Sequence, residues 1–167
     1  DYLNSIRFGI SNTNIKDVPP DVKVFFSTKT LAQILVIKER LLEDLGLESD
    51  KLDYENGNVF HTAKTRKEQL AQYWLGILIG ILHGSSSYSL SLPCSHSFSM
   101  APNYTKNYAK KHNLKKPDRN VKMCMIEKSF YLQSAGTSGV QGKAYLGKAQ
   151  ELSKSWEEKF DLILTSP

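Results

Sequence analysis

Leu31, Ile34, Leu35, Lys38, Leu41, Leu42 and Leu45 recur at three- and four-residue spacing, and that rhythm commits residues 28–45 to an amphipathic helix. Ser27 or Thr28 stands where its cap should be, and Gly46 stands where the helix should stop. A second helical segment opens at Thr65-Arg66-Lys67-Glu68, a capping box in which each side chain can satisfy the other's free backbone N–H. It runs through Leu70, Tyr73, Trp74, Ile77, Leu78 and Ile81 to His83-Gly84. Residues 74–82 are apolar on every face, which predicts a central, buried helix, with Gly76 and Gly80 letting a neighbour approach closely. The run is too short for the ~20 residues a bilayer requires, so no membrane partner is implied.

Around this pair the elements read as follows. Residues 1–10 form the tail of a helix, and Pro19-Pro20 closes a turn-rich connector. Residues 22–26 read as a short extended segment, and residues 48–60 as an exposed loop turning at Asn56-Gly57. Pro102 suits the first turn of a helix over 103–112. Pro117 or Asp118 opens another through 133, with Val121, Met125, Ile126 and Phe130 on one face. The expected fold class is therefore mainly α, a helical region over 1–135. Residues 136–167 then change character: 143–146 and 160–165 read as two short strands, with helical turns over 149–156 between them. Half a βαβ unit requires a parallel sheet made elsewhere, so the chain reads as a piece of a longer one.

Charge narrows the function. Net charge is +5, and the excess is concentrated: Lys106, Lys110, Lys111, Lys115, Lys116, Arg119 and Lys122 face a single acid, Asp118, between Tyr104 and Lys122. Such a stripe favours a polyanion, or is simply a solvated face. Tyr104 and Tyr108, four apart, would share a helix face with it, or else sit half-buried at the edge of the core. Residues 85–100 hold eight serines among Tyr88, Leu90, Leu92, Phe98 and Met100. They read as an ordered loop against the core with hydroxyls left to bond something, Ser85, Ser86, Ser87 and Tyr88 first among them.

Several chemistries fall away. Residues 136–144 lack the spacing and the Ser or Thr of a phosphate loop, Cys94 and His96 have no second ligand pair, and no Gly-x-Ser-x-Gly elbow occurs. No metal is expected. The two cysteines make no disulfide framework and suit a reducing cytosol.

The terminal run Phe160-Asp161-Leu162-Ile163-Leu164-Thr165-Ser166-Pro167 resembles the strand and first residues of the Asp/Asn/Ser-Pro-Pro-aromatic motif of DNA amino-methyltransferases. Four upstream blocks are similar to the segment between the cofactor and catalytic motifs of one subset of that family. They are Phe25-Phe26-Ser27-Thr28-Lys29-Thr30-Leu31, Ile81-Leu82-His83-Gly84-Ser85-Ser86-Ser87-Tyr88, Phe98-Ser99-Met100-Ala101-Pro102-Asn103-Tyr104 and Pro117-Asp118-Arg119-Asn120. The resemblance implies methyl transfer from S-adenosylmethionine to an exocyclic amino group of a base in double-stranded DNA. Ser166 would accept a hydrogen from that amino group through its side chain and Pro167 through its carbonyl. Serine in first place is more typical of N4-cytosine than of N6-adenine enzymes. Lys143 to Leu152 resembles the preceding strand and turn, although Lys148 follows Gly147 where the family commonly has an acid near the cofactor.

The two C-terminal strands would then join a Rossmann-like sheet in the remainder of the methyltransferase, which would also bind most of the cofactor. This chain alone would be inactive. The intact protein would be cytoplasmic, in a bacterial or archaeal modification system. Ser85, Ser86, Ser87, Tyr88, Tyr104, Lys106, Tyr108, Lys110, Lys111, Lys115, Lys116 and Arg119 are the expected DNA contacts. The alternative is a non-enzymatic helical module that binds nucleic acid, or a structural domain with a solvated lysine face.

Overall fold

The computed structural model describes residues 2–5, 15–47, 63–93 and 101–136, and these are mainly helical, with no strand among them. Expected elements at 6–10, 48–60, 94–100 and 137–167 lie outside the described residues. In chain order come α1 (Tyr2–Ser5), a 3-10 turn (Ile15–Asp17), α2 (Pro20–Lys23), α3 (Thr28–Asp44), α4 (Arg66–Ile81), α5 (Pro102–Lys111) and α6 (Val121–Ser134).

Both long helices begin where local chemistry dictates. The Ser27 hydroxyl accepts from the Thr30 N–H, and at Thr65 both halves of the capping box are made with Glu68. Helix α3 ends in a Schellman turn: Gly46 takes φ +67°, the Leu47 N–H reaches the Leu42 carbonyl, and the Gly46 N–H reaches Glu43. Helix α5 ends the same way on Asn113 at φ +51°, with Leu114 N–H bonded to the Ala109 carbonyl.

Helices α3, α4 and α6 pack on one another, α4 touching both of the others, while α5 lies outside the trio. The core is built from Leu31, Ile34, Ile37, Leu41 and Leu45 of α3, Ala71, Ile77, Leu78 and Ile81 of α4, and Val121, Cys124 and Met125 of α6. Phe25, Phe26 and Leu90 close one end of it from the connectors.

Four expectations are corrected. Residues 22–26 are not extended: Pro20, at the first position of α2 with its φ already helical, starts a single turn there. Helix α4 is central, packed on both α3 and α6, but it is not buried on every face. It has a partner on two sides only, so Gly76, Ile79 and Gly80 face outward, Ile79 being 62% exposed. No neighbour comes within 4 Å of where a Cβ would stand at either glycine. Helix α6 starts at Val121, capped by Asn120, because residues 117–121 are claimed by side chains of α3. On α6 the inward face is Val121, Cys124, Met125 and Ser129, leaving Phe130 66% exposed.

A buried carboxylate ties three helices together. Asp44 accepts from the Tyr2 hydroxyl at 2.6 Å, pairs with Lys67 at 2.8 Å and lies 3.4 Å from Arg40. Burial alone would raise its pKa, but the hydrogen bonds from Lys67 and Tyr2 and the charges of Arg40 and Lys67 outweigh that and lower it. The Tyr2 phenol moves the other way, raised by burial and then by its bond to Asp44. Asp44 therefore adds stability that is complete above the ordinary carboxylate pKa of about 3.9 and is lost as pH falls through its lower folded value. Tyr2 adds stability that is complete below about pH 10 and is lost as pH rises beyond it. Asp44→Asn is expected to cost about 1–2 kcal/mol at pH 7, and thermal melts should show the gap to wild type closing below about pH 4.

Candidate nucleic-acid interface

Helix α5, Pro-Asn-Tyr-Thr-Lys-Asn-Tyr-Ala-Lys-Lys, contains three cations and no acid. Pro102 supplies a first turn that has no N–H to satisfy, and Lys110 and Lys111 sit in the last turn, where they favour the negative end of the helix. Thr105 is fully buried and Ala109 partly so, which sets the inward side of the helix. Asn103, Lys106, Asn107, Lys110 and Lys111 are all exposed. Among the described residues, none of the three lysines is paired with an acid.

The tyrosines do not share the whole of this charged face. At about 100° per residue, Lys106 and Lys110 project about 120–160° round the helix from Tyr104 and Tyr108, whereas Lys111 projects within about 20° of Tyr104. Tyr104, Tyr108 and His112 instead form a column along one flank. The Tyr104 and Tyr108 rings are stacked at 5.8 Å and 21°, and Tyr108 meets His112 at 4.2 Å. Tyr108 is half-buried and Tyr104 exposed.

The serine-rich loop lies against the core as expected, over the residues described to Pro93. Leu90 N–H bonds the Ile81 carbonyl at 2.9 Å, Leu92 N–H bonds Phe25 at 2.8 Å, and Ser89, Leu90, Ser91 and Leu92 are buried. Its hydroxyls are largely engaged within the molecule. Ser86 bonds Ser89 at 2.8 Å and Ser87 donates to Glu127 at 2.9 Å. Gly84 is required at φ +140°, since a Cβ there would stand 2.9 Å from the Ser89 hydroxyl. Ser85 is exposed.

The rest of the stripe divides. Lys115 is exposed. Lys116 donates to the Lys23 carbonyl at the end of α2, and partial desolvation lowers its pKa. Arg119 is half-buried, its backbone held from both sides: its N–H bonds Thr30 Oγ1 at 2.9 Å and its carbonyl accepts from Gln33 at 3.2 Å. The same two side chains take the Pro117 carbonyl at 3.1 Å and the Val121 N–H at 3.0 Å. A cleft of about 340 Å³ opens beside this clasp, lined by Lys23, Lys116, Ser27, Thr28 and Phe26.

One cluster escaped the sequence reading. Lys128 lies 5.1 Å from the Tyr88 ring and 5.0 Å from Tyr131, so Tyr88 joins a cation–aromatic group on α6 instead of the α5 face. Lys128 and Tyr131, three apart on a helix, were a readable pair; Tyr88 was not. Among the described residues no group of three His, Cys, Asp or Glu side chains could hold a metal ion, and no helix is long and apolar enough to cross a membrane. Ser166 and Pro167 lie outside the described residues. No family model matches this sequence, and neither a curated protein nor a solved structure does.

Proposed function

We propose that this chain is part of an S-adenosylmethionine-dependent DNA amino-methyltransferase, its helices forming a region that contacts DNA and its last residues beginning the catalytic motif. The observation that carries the DNA-contacting part is the exposed, acid-free lysine face of α5. The catalytic part rests on the resemblance of residues 160–167 to the strand and first residues of the family's motif. In this reading residues 143–146 and 160–165 are strands of a Rossmann-like sheet completed by the remainder of the enzyme, which also binds most of the cofactor. Ser166 and the Pro167 carbonyl accept the hydrogens of the target amino group, with cytosine N4 favoured over adenine N6.

A second reading keeps the DNA contact and drops the chemistry: a helical nucleic-acid-binding module. It is favoured by the exposed lysine face of α5, which lies away from the Ser-Pro terminus in sequence.

Labelled S-adenosylmethionine separates the two. Incubated with duplex DNA, the intact protein carrying these residues should transfer label to the DNA, and Ser166→Ala should slow that transfer about 100-fold or more. Cofactor binding with no label on any DNA would leave the module reading in its place.

A further inference from the structure

We propose that α5 grips the phosphate backbone of double-stranded DNA, through Lys106, Lys110 and Lys111 with Asn103 and Asn107, by charge and not by stacking on bases. The inference rests on the DNA-contacting part of the reading above and is independent of methyl transfer.

Of the twelve DNA contacts expected from sequence within the helical region, only some remain available. Ser86 and Ser87 are bonded to Ser89 and Glu127, Lys116 to the Lys23 carbonyl, and Arg119 is half-buried, its backbone held by Thr30 and Gln33. Ser85 and Lys115 stay exposed on connectors, and the largest exposed group unpaired with acid is one face of α5. Its five polar positions sweep about 140° of the helix circumference, opposite the side anchored by Thr105. Helix α5 stands outside the packed trio of α3, α4 and α6.

The choice of duplex over single strand comes from the aromatics. Sequence-tolerant single-strand binding places bases on open aromatic faces. Here the faces are turned on each other: Tyr104 on Tyr108, and Tyr108 on His112. The column also lies on the opposite flank from Lys106 and Lys110, so bases stacked there would carry their phosphates away from two of the three cations. Lysine adds a compact point charge on a flexible stem, which suits phosphate positions that vary little with sequence. Asn103 and Asn107 supply amide N–H groups to phosphate oxygens between those charges.

The test measures binding of the full 167-residue chain to a random-sequence duplex by fluorescence anisotropy across a salt series. Three lysines predict that log K falls against log salt with a slope of about −3, from a release of about 0.9 counterion per phosphate. The variant Lys106→Gln/Lys110→Gln/Lys111→Gln should bring the slope near zero with an unchanged far-ultraviolet circular dichroism spectrum. A control, Lys29→Gln/Lys64→Gln, should keep it. Single-stranded DNA of equal length should bind no tighter than duplex, and Tyr104→Ala should leave both unchanged. A triple variant that keeps the wild-type slope overturns the proposal. So does a preference for single strands that Tyr104→Ala removes, or a failure of the wild type to bind duplex at about 50 mM salt. None of these outcomes depends on whether label reaches DNA from S-adenosylmethionine.

Discussion

Replacing Thr30 by Val is expected to destabilise the chain by about 2–4 kcal/mol, although the two side chains have nearly the same shape. Thr30 is 0% exposed, and its hydroxyl has three partners. It accepts from Ser27 at 3.0 Å and from the Arg119 N–H at 2.9 Å, and it donates to the Pro117 carbonyl at 3.1 Å. Valine fills the space but answers none of them. An N–H and a carbonyl are then left unsatisfied beside the core, at about 1–3 kcal/mol each. Thermal melts should fall by roughly 4–16 °C, at about 2–4 °C per kcal/mol for a chain of this size. Thr30→Ser keeps the hydroxyl and should lose about 1 kcal/mol or less, through its missing methyl. A Thr30→Val midpoint equal to that of wild type would mean that residues 117–121 are held by something other than this clasp.

Leu41→Ala should cost about as much by a different route. Leu41 is fully buried on α3, in the cluster that includes Ile37, Leu45, Ala71 and Leu78. Truncation removes apolar contact and leaves a void that close-packed neighbours fill only partly, which costs about 2–5 kcal/mol. Urea denaturation should show a lower midpoint with an unchanged slope, since the surface exposed on unfolding is nearly the same. Leu41 lies about 16 Å along α3 from Thr30, at 1.5 Å per residue, so the two losses should add. A Leu41→Ala loss under 1 kcal/mol would contradict the packing of α3 described above.

What could be read from sequence was local. Ser27, Gly46 and the Thr65–Glu68 box act within one turn of chain, so the ends of α3 and the start of α4 were legible from residue type alone. Pro102 at the start of α5 was legible in the same way, whereas the column of Tyr104, Tyr108 and His112 on the flank away from Lys106 and Lys110 was not read. The start of α6 was not, because Thr30 and Gln33 reach it from 86 to 89 positions away. The same holds for the serine loop: its order was visible in Leu90 and Leu92, but the partner of Ser87 is 40 residues on. The apolar run at 74–82 suggested burial on all sides, yet with partners on two sides only, Ile79 is left outside. Charge density located the α5 stripe. Only the fold separated Lys106, Lys110 and Lys111 from Lys116 and Arg119, which serve backbone carbonyls and the clasp.

That this chain meets DNA through α5 is tested most directly by lysine footprinting. The chain is modified with an amine-reactive reagent, alone and with excess duplex DNA, and each lysine is scored by mass spectrometry. Lys106, Lys110 and Lys111 should lose reactivity when DNA is present, while Lys29 and Lys64 keep theirs. Protection spread evenly over all five, or confined to Lys29 and Lys64, would contradict the assignment of the interface to α5.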